Sequence, residues 1–148
     1  MKRRLVVLLA LLGISGCIPK KNVEFRRILN VRMETVSKTP VLKGDVVFYN
    51  PNKTESKLEK IELDILIGEK KAGTVNQILN QKIEGEAEFT VPIEVNVSLK
   101  ESGLLDTLIN IFSSKKKQLR ILGKVKVRVH GIGINVPVDH TEEIKLKL

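Results

Sequence analysis

Tryptophan is absent from this 148-residue chain, and the aromatic side chains are few: Phe25, Phe48, Tyr49, Phe89 and Phe112. A core must therefore be built from Val, Ile and Leu. The same scarcity argues against a single-strand nucleic-acid binder, which stacks bases on aromatic platforms. The single cysteine, Cys17, excludes an intramolecular disulfide. Two histidines, His130 and His140, offer little for a metal centre. His130 continues the outward face of its strand and reads as a surface residue. His140 lies among Asp139, Glu142 and Glu143, but a structural zinc site needs four ligands, usually with paired Cys or His. No metal and no cofactor is expected.

Catalytic motifs are missing too. There is no Gly-x-Ser-x-Gly nucleophile elbow and no phosphate loop. Gly131 and Gly133 do not form a dinucleotide loop, because Val136 stands at the third glycine's position. Asp45, Asp64 and Glu88 are spread singly along strands, with no cue that two share a pocket. The chain does not read as an enzyme. The acceptor triplets at 52–54 and 96–98 are short enough to arise by chance and are disregarded.

What is present in excess is positive charge, 26 Lys and Arg against 17 Asp and Glu. Only Lys2, Arg3 and Arg4 of these precede Cys17, so most of the surplus lies beyond that cysteine. A basic balance favours an anionic membrane surface and is compatible with nucleic acid. The bases are scattered rather than clustered, so no nucleic-acid partner is expected.

The first residues read as an address. Lys2-Arg3-Arg4 is followed by an apolar run over 5–12 and then Gly13-Ile14-Ser15-Gly16-Cys17. Charged, apolar and small residues in that order make a secretory signal peptide. The run is well short of the roughly 20 residues that span a bilayer. Ile14-Ser15-Gly16-Cys17 resembles the lipobox of bacterial lipoproteins: an aliphatic residue, two small ones, then cysteine. The resemblance implies a diacylglyceryl group on the Cys17 thiol, cleavage before it, and usually acylation of the new amine. Two or three chains make a durable anchor where one does not. The expected organisation is a signal peptide over 1–16, a lipidated tether over 17–22 and one domain over 23–148. No acidic residue follows Cys17, which by the sorting rule of many diderm bacteria favours the outer over the inner membrane. The expected location is the cell envelope, facing the periplasm, with a monomer favoured.

From about Val23 onward the hydrophobic period is two. Ala87, Phe89, Val91, Ile93, Val95, Val97 and Leu99 alternate with polar residues and Pro92. Ile61, Leu63, Ile65 and Ile67 repeat the pattern, as do Val125, Val127 and Val129. Alternation of this kind puts one face in a core and the other in water, as in antiparallel sheets. Pro92 cannot donate a ladder hydrogen bond, so it marks an edge or a bulge, or else a kink between two strands. Asn50-Pro51-Asn52 ends a strand over 46–49, Gly68-Glu69-Lys70-Lys71 suits a hairpin, and Gly131-Ile132-Gly133 another turn. Val136-Pro137-Val138 leads into a last strand. One segment breaks the pattern: Leu104, Leu105, Leu108, Ile109, Ile111 and Phe112 fall at helical spacing, with Ser102 as a possible cap and lysines at 115–117 beyond. The expected fold is all-β, an antiparallel sandwich of about seven strands with one short α-helix.

Three blocks of the chain carry a wider likeness. They are Val46-Val47-Phe48-Tyr49-Asn50-Pro51-Asn52 through Gly73-Thr74-Val75, the Phe89–Ile93 alternation joined to the helical segment, and Leu122-Gly123-Lys124 through Val136-Pro137-Val138. This order resembles the type-2 late embryogenesis abundant family, also called the water-stress and hypersensitive-response domain, over about residues 25–147. The resemblance implies an immunoglobulin- or fibronectin-III-like sandwich, a place in desiccation or stress tolerance, and no catalytic site. Asn50, Pro51 and Asn52 are its most specific residues, and a turn suffices to explain them. The implied role is protective or binding, towards weak protein clients. A carrier of lipid or another apolar ligand, or a subunit of an envelope assembly pairing through sheet edges, are the alternatives.

Overall fold

The computed structural model describes residues 21–37, 39–97 and 116–144. The proposed signal peptide, the lipobox with Cys17, and the segment of helical spacing over 104–112 lie outside them. Seven strands run through the described residues: β1 (Glu24–Val36), β2 (Thr39–Asn50), β3 (Ser56–Ile67), β4 (Lys70–Ile83), β5 (Ala87–Asn96), β6 (Lys117–Val129) and β7 (Ile132–Ile144). All pairings are antiparallel. One sheet has the order β1-β2-β5 and the other β4-β3-β6-β7. This is an immunoglobulin-like sandwich in which the fourth strand joins the third, rather than sitting beside the fifth as in constant immunoglobulin domains.

The core follows from the alternation. Along β5, Phe89, Val91, Ile93 and Val95 are buried while Glu88, Thr90, Pro92 and Glu94 are exposed. Val46, Leu58, Ile61, Ile65, Val91 and Val125 lose all contact with solvent. At roughly 25 cal/mol per Å² of buried apolar surface, such aliphatic layers supply the main drive to fold. Three of the aromatics, Phe25, Phe48 and Phe89, cluster at one place. Phe48 stacks on Phe89 with ring centroids 5.5 Å apart, and Phe25 meets Phe48 edge-on at 5.8 Å.

Turn chemistry sets the register. Gly68 and Glu69 alone connect β3 to β4, so Lys70 and Lys71 belong to the strand rather than to the hairpin connection expected from sequence. His130 and Gly131 connect β6 to β7, with φ of 49° and 80°. Positive φ at both positions is what a two-residue hairpin needs to match strand twist. His130 is therefore a turn residue and not the outward continuation of a strand. Val136-Pro137-Val138 likewise lies inside β7 instead of leading into it.

All four sheet edges are blunted, two by bulges and two by proline. The tripeptide Ile-Leu-Asn occurs in both β1 (Ile28-Leu29-Asn30) and β4 (Ile78-Leu79-Asn80). In each, the asparagine takes a positive φ (54° and 51°), and the ladder slips at that point. Asparagine tolerates this conformation better than most side chains. Pro92 lies on the outer strand β5 opposite Asp45, in unbroken register, and Pro137 lies on the outer strand β7. Pro92 is thus an edge residue, neither bulge nor kink. Bulges and prolines at edges discourage pairing with other chains.

Candidate functional site

The signature turn is the place where the two sheets exchange the chain, β2 ending one sheet and β3 beginning the other. Asn50, the last residue of β2, is completely buried. Its Nδ2 donates to the carbonyls of Thr54 (3.2 Å) and Glu84 (3.0 Å) and lies 3.5 Å from Ser56 Oγ. Its Oδ1 accepts from the Asn52 backbone N–H (3.1 Å) and from Asn52 Nδ2 (3.0 Å). Asn52 reaches further. Its Nδ2 donates to the Lys21 carbonyl at 2.7 Å, and its Oδ1 accepts from the Lys21 N–H at 3.0 Å. Its own carbonyl accepts from Glu86 N–H at 2.9 Å.

The turn therefore ties together the β2–β3 crossing, the β4–β5 crossing and the N-terminal entry. Gly85 completes the joint, because a Cβ there would stand 2.2 Å from the Lys53 carbonyl oxygen. In the sequence Asn50-Pro51-Asn52 reads as a turn and as the signature of the family likeness. Burial of Asn50 could not be seen, since Asn52, Thr54 and Ser56 are near in sequence but the carbonyl of Glu84, 34 residues away, is brought to it only by folding.

The ionisable side chains form ladders on the outer faces. On the four-stranded sheet, Arg128 and Lys126 pair with Glu59, Lys60 and Lys124 with Glu62, Lys71 with Asp64, and Arg120 with Asp139. On the three-stranded sheet, Arg27 forks onto Glu88 at 2.9 and 2.8 Å, and Lys43 sits between Glu34 and Glu94. Asp45 accepts from Asn30 Nδ2 at 2.7 Å. The carboxylates that the sequence places singly thus find partners across strands.

Hydrogen bonds from Arg128 hold Glu59 below the ordinary carboxylate range, those from Lys60 and Lys124 do so for Glu62, and that from Arg120 does so for Asp139. Arg27 acts likewise on Glu88. These shifts stabilise charge already present at neutral pH. General acid–base chemistry instead asks for a group tuned towards neutrality.

His140 is turned away from Asp139 and Glu143, its neighbours on the opposite face of β7, and shares a face with Glu142. Its ring stacks on Phe25 at 4.0 Å, Asp139 is engaged by Arg120 and Glu143 by Lys116. Glu142 lies 3.8 Å from His140 Nε2 and accepts the Ile28 N–H at 3.2 Å, linking β7 to β1 across the sandwich. Among the described residues, no three His, Cys, Asp or Glu gather as a metal site. A groove of about 450 Å³ runs along the seam of β1 and β7, lined by Ile28, Leu29, Val31, Arg32, Glu142 and Ile144 among others. It is open to solvent and lies outside the filled core.

The sequence pattern of the late embryogenesis abundant protein family matches residues 45–142. No curated protein matches the chain in sequence. Among solved structures, a protein from Arabidopsis thaliana determined in solution is similar over 88% of this chain and 85% of its own, at 13% identity and a TM-score of 0.65. A crystal structure of a protein from Archaeoglobus fulgidus is similar over 84% of this chain and 99% of its own, at 11% identity and a TM-score of 0.54. At such low identity these two likenesses speak for the fold. The matched span takes in Asn50, the buried centre of the sheet crossing, and most of the sandwich built around it. This chain belongs to the late embryogenesis abundant protein family, in its type-2 form.

Proposed function

We propose that the chain is a lipoprotein of the bacterial envelope, held by acyl groups on Cys17 and facing the periplasm, whose non-catalytic type-2 domain has a protective or binding role under water stress. The observation that carries the anchoring is the register of basic residues, apolar run and Ile14-Ser15-Gly16-Cys17 at the N-terminus. The family carries the stress role. Support for a binding or shielding role, rather than a catalytic one, comes from outer faces of paired charges over an aliphatic core. A folded sandwich of this kind acts through its surface, unlike a disordered protectant that never closes a core.

The anchoring is tested by growing cells on radiolabelled palmitate. Label should enter the wild-type product and the protein should sediment with membranes. Cys17→Ser should lose both. Equal processing and retention of Cys17→Ser would refute the anchor. The stress role is read from the survival of a deletion strain after desiccation, with wild type and Cys17→Ser as complements. Unchanged survival, with unchanged aggregation of envelope proteins, would refute it.

A further inference from the structure

The two outer faces of the sandwich differ in charge. β6 is an interior strand of the four-stranded sheet, and its ionisable side chains are all bases: Lys117, Arg120, Lys124, Lys126 and Arg128. Beside it on β3, Glu62 is shared by Lys60 and Lys124, and Glu59 by Lys126 and Arg128. Two carboxylates thus serve four cations, and the patch keeps a positive excess. On the three-stranded sheet no such excess arises, because Arg32 and Lys43 together meet Glu34 and Glu94, two cations to two carboxylates.

The cationic patch also has shape. Lys60, Glu62, Lys124, Lys126 and Asn135 line a hollow of about 250 Å³, roomy enough for a phosphate group. Next to it is Ile78, the register partner of Lys60, which is 77% exposed. An exposed aliphatic side chain beside lysines on the outer face of a sheet suits the boundary between lipid headgroups and acyl chains.

We propose that the outer face of the four-stranded sheet docks onto an anionic lipid bilayer. Lipid phosphates settle among Lys60, Lys124 and Lys126, and Ile78 enters the headgroup layer. A cation brought to an anionic surface gains about fivefold in affinity, and several act together within a Debye length. The proposal rests on the lipid anchor only for its orientation. Lys21 is clamped by Asn52, and Lys21, Asn22 and Val23 line a hollow with Val127 and Val129, at the end of β6 that carries Arg128. The four residues back to Cys17 span at most about 14 Å, so an anchored chain would keep this end of the patch close to the membrane.

The test uses the full chain with Cys17→Ser, so that no acyl anchor contributes, and Ile78→Cys bearing an environment-sensitive fluorophore. Vesicles of phosphatidylglycerol and phosphatidylethanolamine should shift its emission to the blue, and vesicles of phosphatidylcholine should not. Thr90→Cys, which puts the same probe on the opposite face, should stay silent. Lys60→Gln, Lys124→Gln and Lys126→Gln together should raise the half-saturating lipid concentration at least tenfold, with circular dichroism confirming the sheet. Added salt should weaken the response of the unaltered face. Equal response of the two probes or of the two kinds of vesicle, or no response at position 78, would overturn the proposal. So would a response to short duplex DNA but not to vesicles. Failure of palmitate labelling would leave this test standing, since it is made without the acyl group.

Discussion

Two polar networks hold this sandwich, and they carry different weight. One is the junction at Asn50, where a single fully buried amide serves three backbone groups drawn from two separate stretches of the chain. The other is the ladder of ion pairs on the outer face of the four-stranded sheet, whose side chains remain open to solvent. The ladder has more members and more charge. Water competes for every one of its contacts, pairs in water stabilise little, and salt screens them. At the junction the Asn50 amide is sealed from water, so losing it leaves part-buried carbonyls and an N–H unmet, at a desolvation cost that the open ladder does not incur. Burial, and not the number or charge of the contacts, decides which network the fold depends on.

The sharpest way to break that comparison is Asn50→Ala. It leaves the Thr54 and Glu84 carbonyls and the Asn52 N–H without their partner, and should cost about 4 kcal/mol in urea unfolding. A loss as small as that expected of a surface pair would mean the junction is not the keystone described. Next in size is Gly123→Ala, which tests the ladder face from beneath. Gly123 has φ of 150°, and a Cβ there would stand 2.1 Å from the Glu62 carbonyl oxygen. Overpacking should cost about 2 kcal/mol in the same measurement, and a neutral result would show that β3 and β6 can part locally.

The smallest effect belongs to the ladder itself and is read by acid. Glu59, Glu62 and Asp139 titrate below the ordinary carboxylate range when folded, because cations donate to them. Their contribution is then fully present above the unfolded carboxylate values and is lost as pH falls through the depressed folded values. The melting temperature should stay level from pH 7 to about 5 and decline gradually below that range. A melting temperature that rises on acidification through this range would contradict the pairing.

Much of the fold was legible in the chain. The alternation at Phe89, Val91, Ile93 and Val95 appears as drawn, one face buried and the other wet. The number of strands and the stop at Asn50-Pro51 were equally plain. Period two needs only neighbours in sequence to be seen. The site was legible only as a short string of turn formers. A buried asparagine and an exposed one look alike until the Glu84 carbonyl, 34 residues away, is brought to Nδ2. His140 shows the converse: it lies among carboxylates in sequence, but Asp139 and His140 point to opposite faces of β7, and an Arg and a Phe claim them.

By itself, then, the amino-acid order determined strand character, turn positions, the aliphatic core and the family likeness, because each depends on residues close together along the chain. Tertiary structure alone decided which sheet β4 joins, that Asn50 is sealed while Asn30 and Asn80 turn outward at bulges, and which carboxylate meets which base. Those outcomes depend on pairing between distant strands. A register shift of one residue would exchange the buried and exposed faces of a strand, and only the closed sandwich selects among the registers that local pattern allows.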